Sequence, residues 1–351
     1  MRFGLFGSAQ ANGSDLGASV GQGFHDYIDF NIEAESLGYH GTFLVEHHFT
    51  GWSQVSATLS LLTYLAARTK TLRLGTAVMV LPWHNPVLLA EQAATLDVLS
   101  GGRLDFGIGK GYRHSEFTGF CIPSEEAEER FEESLEVILK AWTSEGRFSH
   151  HGKFWNFENI VVEPAAVQRP RPAIWMAAGS EPSIRKVATR GFNLLLDQFA
   201  GPDLIKQRVE FFRSELKAVG RSHNPMEVCV ARDLYVAKDR KDREDAIERL
   251  NAMRQRTIDV SKAPNQSGGS HILSYAKSGA PDVSSTLIGT TEEIYDKLVA
   301  LNEAGAEYVI LSVLGGSRHS LRQFANEIIP EFNSDRAVGP GIRNVAWVTE
   351  E

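Results

Sequence analysis

Eight short apolar runs, each followed by a longer segment of helical spacing, constrain this chain more than any single motif. The runs fall at residues 2–6, 41–45, 73–80, 104–108, 173–177, 193–196, 227–236 and 308–313. Runs this short, bounded by turn residues, read as buried strands. The segments between them carry helix starts with a physical reason. At Asn85-Pro86 a side-chain oxygen is placed to cap free amides, and proline takes a first-turn position that needs no amide. Ser124 precedes a glutamate-rich first turn, after which Phe131, Leu135, Ile138, Leu139 and Trp142 trace one apolar face. Thr290 and Glu293 have capping-box spacing ahead of Ile294, Leu298 and Leu301.

Strict βα alternation over eight strands predicts an α/β fold, a (β/α)8 TIM barrel with right-handed crossovers. A doubly wound open sheet is the rival, because strand count alone does not show closure. No linker rich in Pro, Gly or Ser divides the 351 residues, so a single barrel domain over 1–351 is expected. Two insertions interrupt the alternation. Residues 146–164 read as a hairpin; residues 261–286 carry little periodicity and read as a mobile lid.

A net charge of −8 without any basic cluster argues against a nucleic-acid partner. Cys121 and Cys229 lack paired spacing, which fits a reducing compartment. The first residues lack the apolar core of a signal peptide, and no apolar run is long enough to span a membrane. A cytoplasmic protein without membrane association is expected.

In a barrel, ligands sit at the carboxyl ends of the strands. Glu46-His47-His48 follows the second run, and Leu81-Pro82-Trp83-His84-Asn85-Pro86 the third. The fourth is followed by Gly109-Lys110-Gly111-Tyr112-Arg113, the fifth by Gly179-Ser180-Glu181-Pro182-Ser183, the sixth by Asp197-Gln198-Phe199. Such a rim suits a planar, partly charged ligand. Gly179-Ser180 ahead of a helix offers amides and hydroxyls at the positive end of a helix dipole, which suits phosphate. Gly107-Ile108-Gly109-Lys110-Gly111 allows close backbone approach and adds a cation. As a dinucleotide fingerprint it fails, because the third glycine would fall at Tyr112.

His47 is the best acid–base candidate, since its charge changes near neutral pH. The reading that His47 and His48 are hydrogen-bonded pocket walls stays open beside it. A metal site from Glu46, His47, His48 and His84 is a third reading, weakened because strand neighbours point to opposite faces. Arg130 either binds an anion or pairs with Glu126 and Glu133 on its own helix. Lys110 and Arg113 either face a ligand or are solvated cations; Trp83, Tyr112 and Phe199 either stack on a ring or pack.

Several segments act together as a signature: FLVEHHFT, LRLGTAVMVLPWHNPVLLAEQAATLDVLSGGRLDFGIGKGYR, RPRPAIWMAAGS with ATRG, and GTTEEI. In order and spacing, over about the whole chain, they resemble the bacterial luciferase-like family of flavin-dependent monooxygenases. The resemblance implies a TIM barrel binding flavin mononucleotide (FMN) at its carboxyl face, reduced by a separate reductase or by NAD(P)H. Oxygen would be activated as a flavin C4a-hydroperoxide and delivered to a small organic substrate. It also implies that His47 is the catalytic histidine, with His48 beside it. The third strand would pass under the flavin ring with a non-proline cis peptide at Ala77-Val78, and Val45, Gly109, Tyr112 and Gln198 join the cofactor contacts. Ser180, Ser183 and the Gly179 amide would take the phosphate; Lys110 and Arg130 match phosphate-contacting arginines of the family.

Departures bound what carries over. Gly109 stands where the light-emitting enzymes have a reactive cysteine, Lys110 where they have an arginine, and Gln198 where they have a tryptophan; light emission is not expected. A homodimer is implied through helices after the early strands, with residues 91–99 and 131–142 as candidate faces. Rival readings are a deazaflavin-dependent dehydrogenase on the same barrel, a non-catalytic flavin-binding protein and a metal-dependent hydrolase. Substrate specificity is expected in residues 261–286, near Phe154-Trp155 and in the loop 8–21.

Overall fold

Strand β1 (Arg2–Gly7) pairs in parallel with β2 (Gly41–Leu44), which pairs with β3 (Arg73–Thr76). The series continues through β4 (Leu104–Gly109), β5 (Ala173–Ala177), β6 (Asn193–Leu196), β7 (Val228–Val236) and β8 (Tyr308–Val313). Strand β8 decides the architecture, because it pairs in parallel with both β7 and β1. The eight strands therefore close into a barrel, and a doubly wound open sheet is excluded. This computed structural model describes residues 1–10, 21–51, 54, 56–261 and 285–333. The expected lid at 261–286 and entrance loop at 8–21 lie almost wholly outside the described residues.

Helices α1 (Gln22–Ser36), α2 (Thr58–Arg68), α3 (Pro86–Ser100), α4 (His114–Gly119), α5 (Ala127–Thr143), α6 (Glu181–Arg190), α7 (Pro202–Ala218), α8 (Arg240–Ser261) and α9 (Thr291–Glu303) alternate with the strands. Asn85 caps α3 by accepting from the amides of Val87 and Leu88 at 3.0 and 3.2 Å. Thr290 and Glu293 form the reciprocal capping box that opens α9. Ser124 does not cap α5. Its hydroxyl bonds the Glu125 carboxylate, residues Ser124–Glu126 make one tighter turn, and the α-helix begins at Ala127.

Two strand readings change. A three-residue strand, Leu287–Gly289, runs beside the end of β7 and is too short to show a pattern in sequence. The run at 73–80 is also not continuous: β3 stops at Thr76 and its line resumes at Met79–Val80, with a cis peptide at Ala77-Val78 between. Gly75 and Met79 are four residues apart, whereas their partners Asp105 and Ile108 are three apart, so one extra residue bulges from β3. A side chain repairs the ladder there. Thr76 Oγ1 donates to the Gly107 carbonyl at 2.7 Å and accepts from the Gly107 amide at 2.8 Å.

The barrel is filled at one end and open at the other. Phe43, Trp175 and Tyr308 meet edge to face, with ring centroids 5.8–6.0 Å apart, and plug its lower interior. Gly75 makes room for this plug, since a Cβ there would fall 2.3 Å from the Phe43 ring. Above it the inward positions are small: Ala77, Ala177, Ala231 and Gly109 border open space. Leu44, Leu74, Phe106, Ile174 and Leu196 instead join the larger core shared with the helices. Between α5 and β5 an antiparallel hairpin, Phe148–His151 with Asn156–Ile160, is pinned to α5 by one carboxylate. Glu133 accepts the amides of Lys153, Phe154 and Trp155 at 2.7–3.1 Å.

Thr76→Val removes both bonds to Gly107 and leaves a buried amide and carbonyl unpaired. Chemical denaturation is expected to show a loss of about 2–4 kcal/mol, with most of it restored in Thr76→Ser.

Candidate active site

Strand β2 stops at Leu44, and the three titratable residues stand in the loop just beyond it. Glu46 and His47 both border the barrel's open end, and His48 does not. Glu46 is buried; it accepts the Val80 amide at 2.7 Å, His84 Nε2 at 2.7 Å and His48 Nε2 at 3.1 Å. Burial pushes its pKa up, but bonds from His48, His84 and the Val80 amide outweigh that and hold it below the usual carboxylate range. This carboxylate ties the β2 rim to the resumed line of β3. His48 packs edge-on against Trp83 and Phe120, outside the cavity.

His47 faces a cavity of about 1530 Å3 at the carboxyl ends of the strands. Its Nδ1 lies 3.0 Å from Oε1 of Glu116, a buried residue of α4 whose same oxygen accepts the His48 amide at 2.8 Å. A carboxylate only accepts, so Nδ1 carries the proton and Nε2 is left as an acceptor toward the cavity. Burial lowers the ring's pKa below 6.5, the Glu116 bond raises it, and Arg113 lowers it; the net shift is downward. At neutral pH this is a neutral, oriented imidazole.

Around the same cavity stand Val45, Ala77, Val78, Gly109, Lys110, Tyr112, Gly179, Ser180, Ser183 and Gln198, drawn from five strand ends. Ser180 and Ser183 open α6 with their hydroxyls 3.0 Å apart, and Ser183 Oγ accepts the Ser180 amide at 3.2 Å. Lys110 pairs with Glu128 of α5 at 2.9 Å, and Glu128 also takes Lys186 of α6 at 2.6 Å. Lys186 and Lys110 together pull the Glu128 carboxyl down to about 2. These groups border a side cavity of about 250 Å3 that shares Lys110, Ser180 and Ser183 with the main one. After β6, Asp197 accepts the Phe199 and Ala200 amides and pairs with Arg208, which leaves Gln198 on the cavity wall.

Arg130 stands apart from the cavity lining. Its guanidinium pairs with Glu126 at 2.8 Å and lies 4.3 Å from the Phe154 ring centroid, so its visible work is on the hairpin. Among the described residues no group of three or more His, Cys, Asp or Glu side chains is arranged to hold a metal ion. Glu116 and helix α8 go unread in the sequence. Glu116 sits in a short polar helix 69 residues from His47, with nothing local to mark it. On α8, Arg249, Ala252, Met253 and Arg256 face the cavity at helical spacing. The one available signal was position, since α8 follows the carboxyl end of β7.

A family model described as luciferase-like monooxygenase matches residues 1–308. The chain belongs to the luciferase-like monooxygenase family. The oxygenase component of a flavin-dependent trigonelline monooxygenase from Acinetobacter baylyi is 26% identical over 333 residues, 89% of this chain and 91% of its own. The oxygenating constituent of 3,6-diketocamphane monooxygenase from Pseudomonas putida, a structure in complex with FMN, has a TM-score of 0.75 at 21% identity. It covers 94% of this chain and 99% of that one. An F420-dependent secondary alcohol dehydrogenase also gives 0.75, at 16% identity, covering 95% and 99%. At such identities the structural likeness establishes the barrel alone. Within this luciferase-like barrel, the β2 histidine, the α6 hydroxyls and the β3 break meet around one cavity.

The folded pKa of His47 lies below the unfolded one, so the stability held by its neutral form is present above pH 6.5. That contribution is lost as pH falls through the folded value. Nitrogen-detected NMR of the imidazole is expected to give a midpoint below 6.5, and Glu116→Gln to lower it further by removing the raising contact.

Proposed function

We propose that the protein is an FMN-dependent monooxygenase that uses reduced FMN and O2 on a small organic substrate. The observation that carries this reading is one cavity joining a neutral His47, oriented by Glu116, to a hydroxyl- and lysine-rich end at Ser180, Ser183, Lys110 and Lys186. Family membership, a flavin-dependent relative and an FMN complex of the same fold support it.

The residues present fit the cofactor. Hydroxyls and ammonium groups at the α6 terminus suit a phosphate, and the apolar walls at Val45, Ala77, Val78 and Ile310 suit a flat ring. Gln198 offers both a donor and an acceptor to a pyrimidine edge. Bound reduced flavin would supply the electrons that activate O2. The chain's own part is to orient and exclude. Glu116 holds the His47 ring so that Nε2 accepts or returns a proton at the reacting group, and the plugged barrel beneath keeps water from entering below.

Electrons come from a separate reductase or from NAD(P)H, and the setting is cytoplasmic; no helix among the described residues is long and apolar enough to cross a membrane. The active form is a homodimer. Phe131, Leu135, Ile138 and Trp142 are buried within the chain and leave no face for a partner. Leu88 and Leu99, 52% and 61% exposed on one side of α3, with Tyr64 on neighbouring α2, offer the contact instead.

Equilibrium titration is expected to show FMN binding at least about ten-fold tighter than riboflavin, with the difference mostly lost in Ser180→Ala/Ser183→Ala. Equal affinity for the two ligands would contradict the phosphate end. Oxygen uptake with reduced FMN and a responsive substrate is expected to fall about 100-fold or more in His47→Ala; a chain that binds only a deazaflavin and consumes no O2 would overturn the assignment. Sedimentation should give a dimer that Leu88→Glu/Leu99→Glu converts to monomer.

A further inference from the structure

One charged group on the cavity wall is used by none of this. Arg113, just beyond β4, is 3% exposed and lines the cavity. Its Nε and Nη1 are buried and have no hydrogen-bond partner among the described residues. The carboxylate facing it, Glu116 Oε1, is 3.8 Å from Nη1, beyond hydrogen-bond reach, and that oxygen already accepts from the His47 ring and the His48 amide. A guanidinium does not shed its proton, and burying its donors unmet is costly, the more so because they are charged. Such a group is retained where a ligand brings the acceptors. Its planar fork matches the two oxygens of a carboxylate.

The rest of the cavity agrees. At about 1530 Å3 it exceeds the roughly 300–1,000 Å3 of single small-molecule sites, so a second ligand fits beside a nucleotide. Its wall acids are engaged: Glu46 by His48, His84 and the Val80 amide, Asp197 by Arg208 and two amides, Glu116 by His47. Arg113 therefore adds a buried cation to this wall, in a chain whose net charge is −8. Because Arg113 and His47 meet the same Glu116 oxygen, a ligand held by one lies beside the other.

We propose that Arg113 anchors the organic substrate, and that this substrate is a carboxylate, held by its anionic head with its reacting end beside His47. The inference rests on the monooxygenase reading for the role of the second ligand, and on the cavity alone for its charge.

Matched pairs test it: benzoate against benzamide and hexanoate against hexanamide, titrated into the FMN-loaded protein and followed by the flavin absorbance change and by calorimetry. Each carboxylate is expected to bind at least about ten-fold tighter than its amide, as a charge-assisted bond requires. Arg113→Met should abolish the preference and Arg113→Lys keep part of it, with FMN affinity unchanged in both. Equal binding of acid and amide, no carboxylate binding at all, or a preference that survives Arg113→Met overturns the proposal. So does Arg113→Met losing FMN while carboxylate selectivity stays, which would assign the arginine to the cofactor. If the natural chain fails to bind FMN, the flavin reading falls by itself, and the same titrations by calorimetry on the flavin-free chain still decide the carboxylate preference.

Discussion

The ladder that joins β8 to both β1 and β7 is the interaction on which everything else in this chain depends. A parallel sheet left open would put its strand ends along a line. Closed, the same strands deliver them to a ring, and residues as far apart as His47 and Gln198 come to share one space. Closure also forces the interior to be filled from within. The aromatic trio below and the alanines and glycine above divide it into a plug and a vestibule.

Two buried carboxylates then sort the rim. Glu46 is spent on a strand amide and two histidines, so it serves as structure. Glu116 faces the vestibule and fixes one nitrogen of His47, leaving the other for chemistry. Their histidine partners His47 and His48 are adjacent in sequence, yet only His47 lines the cavity. The break in β3 follows similar logic: the bulge costs the ladder two backbone bonds, and the Thr76 hydroxyl restores both.

How much of this was legible in the sequence depended on whether the governing contact was local. Barrel strands, the Asn85 cap and the Thr290–Glu293 box follow from patterns a few residues long, and they lie where those patterns put them. The strand-end rule points to His47, Lys110, Ser180 and Gln198, and these four line one cavity. Pairings between distant segments stayed hidden. Glu116 has no sequence mark of its partner, Lys186 reads as one more surface lysine, and Thr76 looks like any strand threonine. Arg130 had two plausible neighbours in sequence, and Glu126 together with the hairpin's Phe154 holds it away from the cavity. Helix α8 escaped because its charges are spread around its circumference; only the barrel shows which side of it faces the vestibule.

A crystal structure of the protein grown with FMN would examine the account most directly. It should place the phosphate within hydrogen-bond distance of the Ser180 and Ser183 hydroxyls and one of the Lys110 and Lys186 ammonium groups, with the ring system reaching His47. A nucleotide bound elsewhere on the barrel, or the phosphate seated away from the α6 terminus, would contradict it.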